Sequence, residues 1–167
     1  MRVFDEKFKS NKVRYILQCL LAALSIFIVL FFLDAISNAA IVAALGASSF
    51  IVFTMPEAQV SRPRFLIGGY LVGIAAGWFC YQLSLIPVLT NLPVVNGSSY
   101  VVFGALSVGL SIFVMVVTNT EHPPAASLAL GLVLNECSSR TVLVALIGIV
   151  SLSVIKAVLR PVLKNLL

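Results

Sequence analysis

Four apolar runs, residues 15–33, 65–86, 100–117 and 141–159, hold a single charged side chain between them, Lys156. A helix rises about 1.5 Å per residue and a hydrocarbon layer is roughly 30 Å thick, so each run is long enough to cross a membrane as an α-helix. Four such runs in 167 residues leave almost nothing for a soluble domain. With 60% hydrophobic and only 10% charged residues, the chain has more apolar surface than a soluble core of this size can hide. The expected fold class is all-α, a polytopic membrane helix bundle. The first run is too long for the core of a signal peptide and lacks a small-x-small cleavage site, so it is expected to stay in the membrane.

Two shorter stretches, 39–55 and 125–134, carry Gly, Pro or Ser where an uninterrupted helix would not want them. If both cross, the chain has six membrane segments. Ten of the eleven Lys and Arg residues then lie on one face, with Arg140 opposite. The positive-inside bias favours that topology, with both termini cytoplasmic in a cell inner membrane. The organisation expected is a basic cytoplasmic N-terminal segment (1–14), one transmembrane domain (15–159) and a cytoplasmic C-terminal tail (160–167). Asp34 would end the first helix at the outer surface.

The uncharged stretch 87–99, rich in Pro, Asn, Gly and Ser, is the natural midpoint. Three crossings before it and three after it make two inverted repeats, 15–86 and 100–159. Ala47 and Ala125, Ser49 and Ser127, Ser61 and Ser139, and Arg62 and Arg140 all share one offset, which aligns the two short stretches. Both are expected to be broken or half helices meeting near the midplane. From Pro124 to Leu134 a helix rises roughly 16 Å, about half the hydrocarbon thickness. Pro123 and Pro124 suit its first turn, and Gly46 would be the joint of the matching half-helix.

Two helix starts facing one point favour an anion there, through free N–H groups and the positive ends of the helix dipoles. The residues expected to line that site are Gly46, Ala47, Ser48, Ser49, Thr118, Thr120, His122, Pro123, Pro124, Ala125, Ala126 and Ser127. His122 can donate a hydrogen bond or carry a proton, with Glu121 as its proton partner. Taken singly, Ser48, Ser49 and Ser127 are as readily packing groups bonded to backbone. Arg62 and Arg64 would form a basic vestibule that concentrates anions.

Other classes are disfavoured by the residues present. The net charge of +5 sits beside membrane spans and carries no RNA-binding motif, so lipid, not nucleic acid, is the expected partner. One histidine and three scattered cysteines without a Cys-x-x-Cys pair argue against a metal site, a disulfide framework or a cofactor. No nucleophile elbow or phosphate-cradling loop is present, and Ser127 near His122 lacks an orienting third group, so no enzyme activity is expected. Gly68, Gly69, Gly73 and Gly77 read as a close-packing stripe, available to a second copy in a homo-oligomer.

At these residues the chain resembles the HPP family of integral membrane proteins, named for a motif matching His122-Pro123-Pro124. The likeness extends to Thr118-x-Thr120-x-His122, to Gly46-Ala47-Ser48, and to Pro63-Arg64 followed by Ile67-Gly68-Gly69. It covers most of the chain from the second segment onward and leaves out the basic N-terminal stretch. Relatives often have Gly-Ala where this chain has Ala126-Ser127, and His at the position of Tyr70. The family is described as having four membrane helices and a transport role, with chloroplast relatives linked to nitrite. The resemblance thus implies a transporter or channel for a small inorganic anion, nitrite foremost. The alternative is a non-transporting membrane scaffold or sensor that acts through a partner protein.

Overall fold

A computed structural model describes residues 11–33, 39–92, 95, 97–135 and 137–166. Asp34, Arg2, Lys7, Lys9 and most of the basic N-terminal segment lie outside the described residues. Within them are seven α-helices, one 3-10 turn and no strand. In chain order these are α1 (Lys12–Leu33), α2 (Ala39–Thr54), the 3-10 turn Gln59–Ser61, α3 (Pro63–Ser84), the short α4 (Pro87–Thr90), α5 (Ser99–Thr118), α6 (Pro123–Leu134) and α7 (Ser139–Leu159). Helices α1, α3, α5 and α7 are long and apolar enough to cross a membrane, and α2 and α6 are shorter. Large apolar side chains such as Phe31, Phe32, Val101, Phe113 and Val158 are exposed on their outer faces, as expected where lipid is the solvent.

Proline sets three of the helix starts. Arg62, Ile86 and His122 each precede a proline and each has extended backbone, after which α3, α4 and α6 begin with proline in the first turn. The ring of a proline disfavours helical geometry in the residue before it, while its own missing N–H costs nothing at a helix start. α7 begins instead on a side chain: the Ser138 hydroxyl accepts from the Thr141 N–H at 3.1 Å.

The expected break at Gly46 is absent. α2 starts at Ala39 and runs unbroken through Gly46, Ala47, Ser48 and Ser49. A lone glycine costs a helix interior only about 1 kcal/mol relative to alanine, whereas the two prolines at 123 and 124 cannot continue a helix from the preceding chain. One half-helix start therefore exists at depth, that of α6, and two such starts do not face each other.

α6 sits at the centre, packed against α2, α3 and α5. The glycines of α3 make the closest of these approaches. A Cβ built on Gly69 would stand 2.5 Å from the His122 Cβ, and one on Gly77 would stand 2.8 Å from the Ala129 carbonyl oxygen. Gly73 abuts the Ala125 carbonyl just as closely. The stripe expected to be open to a second copy is thus covered by α6 of the same chain, which removes that argument for an oligomer. α3, α5 and α6 pack most extensively on one another; α1, α2 and α7 form a second, looser group; and α2 with α6 and α3 with α7 join the two.

One end of the bundle gathers the start of α1 and the ends of α2 and α7. The Leu166 N–H donates to the Thr54 carbonyl, the Tyr15 hydroxyl to the Leu166 carbonyl, and the Gln18 amide to the carbonyls of Phe53 and Lys164. Lys12, Arg14, Arg62, Arg64, Lys156, Arg160 and Lys164 all lie in the segments gathered here, while Arg140 begins α7 at the far end. The three cysteines are free: Cys80 is buried, but Cys19 is exposed on α1.

Candidate functional site

α5 ends in a tight C-cap that aims the chain back into the bundle. Asn119 is left-handed (φ 53°, ψ 56°), the Thr120 N–H reaches the Met115 carbonyl at 2.9 Å, and the Asn119 N–H reaches that of Val116. These are the two bonds of a Schellman motif, which usually places glycine where Asn119 stands. Outside the turn, Arg64 donates to the Thr118 carbonyl at 3.2 Å, and the Thr118 and Thr120 hydroxyls bond each other at 2.8 Å.

Two residues further on, the extended backbone of His122 turns its imidazole sideways between α2 and α3. His122 and Ser48 are fully buried, as is Tyr70. His122 Nε2 lies 2.8 Å from Ser48 Oγ, which lies 3.0 Å from the Tyr70 hydroxyl, and the Tyr70 and His122 rings are 5.7 Å apart at 42°. Nδ1 of His122 is buried without a hydrogen-bond partner of normal geometry among the described residues. The cluster joins three elements: Ser48 from α2, Tyr70 from α3 and His122 from the cap of α6.

Its depth can be measured along α3, which has 22 residues. His122 meets Gly69, roughly 9 Å beyond the helix start at 1.5 Å per residue, and Ala125 meets Gly73 near the helix midpoint. His122 therefore lies about one helical turn on the basic side of the middle, neither at the surface nor at mid-depth.

The start of α6 is poor in donors. Pro123 and Pro124 have no N–H, and the Ala125 N–H is spent on the His122 carbonyl at 2.9 Å. Any hydrogen-bond donor offered here belongs to a side chain. Of the residues expected in the site, Ser48 and His122 bond directly, and Ser49, Pro124, Ala125 and Ala126 are buried near them. Gly46, Ala47, Thr118, Pro123 and Ser127 are exposed, and Thr120 and Glu121 are half-buried. Glu121 makes no hydrogen bond to His122, so the expected pair of proton carriers is not brought together.

Tyr70 was legible only as a departure from the family pattern, although a tyrosine between Gly69 and Leu71 in an apolar run is itself a signal. The two arginines of the expected vestibule diverge. Arg64 is held against the end of α5, while Arg62 faces Lys156, Arg160 and Lys164 across a separate cavity.

The family described as HPP, transmembrane region, matches residues 8–166, so the likeness extends into the N-terminal stretch. A Dictyostelium discoideum protein named only as a transmembrane protein is 31% identical over 90 residues, covering 54% of this chain. The chain spans about 28% of the length of that relative over the match. No solved structure matches significantly.

Proposed function

From the premise that the chain belongs to the HPP family of integral membrane proteins, we propose that it carries a small monovalent anion across the membrane, nitrite being the leading candidate. The observation that carries this reading is the buried Ser48–Tyr70–His122 cluster. Polar side chains buried this far along membrane-length helices are costly and are retained mostly where they handle a substrate or an ion. The anion would be held by the Ser48 and Tyr70 hydroxyls and the imidazole, since the first turn of α6 contributes only its dipole. Arg64 would supply attraction at the mouth, and no catalytic step is involved.

Two inverted three-helix halves are supported by the packing pattern. Exchanging α1 with α5, α2 with α6 and α3 with α7 maps every substantial packing among these six helices onto another or onto itself. Under that exchange the two helix groups swap places, and the cluster spans the seam between them: Tyr70 and His122 on one side, Ser48 on the other. Rocking of one group against the other would open or close the Ser48–His122 contact, which is the geometry alternating access requires. The basic end, by its charge, would be cytoplasmic in an inner membrane.

Flux into proteoliposomes is the direct test. Nitrite uptake above that of empty vesicles, preference over chloride, and at least a tenfold loss in His122→Ala and Ser48→Ala are expected. Absence of flux for every anion tried, together with a stoichiometric partner that co-purifies, would instead support a scaffold or sensor.

A further inference from the structure

We propose that the basic end of the molecule contains a second anion site, separate from the Ser48–Tyr70–His122 cluster, which takes the phosphate of an anionic phospholipid headgroup. The site is a cavity of about 690 Å³ between residues 56–63, the last turns of α7 and the chain that follows it. Four cationic side chains line it: Arg62, Lys156, Arg160 and Lys164. Glu57 is the one carboxylate on its wall, and its Oε2 accepts from the Asn165 amide at 3.2 Å.

The cations outnumber the single carboxylate on the wall four to one. Lys156 is nine-tenths buried, and its Nζ donates to the Ser61 carbonyl, which fixes the ammonium at the cavity wall. Arg62 and Arg160 stand close enough for their charges to act on it. Among the described residues none of the four forms an ion pair. Like charges collected around one partly enclosed space repel in a medium that screens less than water, and a bound anion reverses the sign of that energy. Two guanidinium groups lining one cavity, Arg62 and Arg160, suit the forked oxygens of a phosphate in particular.

Volume and position argue for a headgroup over a bare ion. A water molecule's share of the liquid is roughly 30 Å³, so the cavity is far larger than a monovalent ion needs. It lies where α7 ends, the place at which a helix of membrane-spanning length would meet headgroups, and Pro56, Ala157 and Leu163 give it an apolar side. α7 also carries exposed Val154 and Val158, along which acyl chains can lie. Basic pockets at helix ends on the cytoplasmic side bind lipid headgroups by this combination.

The experiment is native mass spectrometry of the full chain released from nanodiscs, with phosphatidylglycerol and phosphatidylcholine supplied in equal amounts. Phosphatidylglycerol is expected to be retained over phosphatidylcholine by about tenfold, and Arg62→Gln/Arg160→Gln to abolish the preference. Arg62→Lys/Arg160→Lys, which keeps the charge, should preserve most of it. Lys12→Gln/Arg14→Gln, with equal charge loss at the same end but outside the cavity, should leave it intact. Inorganic phosphate in millimolar amounts is the second arm: binding lost in the same Gln pair and equal displacement of lipid would name soluble phosphate as the source. Equal retention of the two lipids with no phosphate binding, an unaltered preference in the Gln pair, or an equal loss in both double Gln variants would overturn the site. The readout needs no transport, so its failure and that of the transport reading are distinguishable.

Discussion

The Ser48 hydroxyl serves two neighbours at once, and removing it leaves both His122 Nε2 and the Tyr70 hydroxyl unpaired in the interior. Ser48→Ala should therefore lower stability by about 1–3 kcal/mol, and Tyr70→Phe, which takes away one partner, by about 1 kcal/mol. Denaturation in detergent, followed by helical circular dichroism, measures both. Two glycines make an opposed pair. Gly73→Ala drives a methyl into the Ala125 carbonyl and should cost about 1–3 kcal/mol. Gly46→Ala meets open space in mid-helix and should be neutral or stabilise by up to about 1 kcal/mol. Equal losses for the two would contradict the covered stripe. His122 and Ser48 were legible as polar groups where apolar helix was expected. The outward facing of Gly46, Ala47 and Ser127 was not, because helices apolar on nearly every side carry no periodic signal of which face turns inward.

Among the elements, the helix breaks that sequence chemistry enforces were legible and those it merely permits were not. Pro123 and Pro124 compel a new helix, and α6 begins there. Gly46 only allows a break, and packing of Leu45, Ser48, Val52 and Phe53 into the core holds α2 straight through it. The cap of α5 gives a prediction at this scale. Asn119 is the one non-glycine residue with positive φ among the described residues, and left-handed backbone costs most side chains roughly 1–2 kcal/mol. Asn119→Ala should lower the unfolding midpoint, whereas Asn119→Gly should hold or raise it. If the two behave alike, the turn that delivers His122 is not limited by its backbone.

For the whole molecule, composition alone made membrane residence legible, and the gathering of basic residues at one end matches the expected charge bias. The exchange pattern in the helix packing was not legible, since pairing between distant helices leaves no local trace in a sequence, and the four residues that share one offset belong to the proposed repeat alone. Orientation is testable by labelling: in a cysteine-free background, Arg160→Cys should react with a membrane-impermeant maleimide from the cytoplasmic side and Arg140→Cys from the opposite side. Reaction of both from one side would refute the alternation of crossings. The seam between the helix groups is pinned at its far end, where Gly131 presses against Ala40, and is closed nearer the basic end by the Ser48–His122 bond. Nine residues separate Gly131 from His122, a lever arm of roughly 13 Å. With that contact as a fulcrum, a tilt of α2 against α6 would be felt most at the two hydrogen bonds of Ser48, to His122 and to Tyr70. A small angular change there becomes a gap of atomic size beside the histidine, while the fulcrum hardly moves.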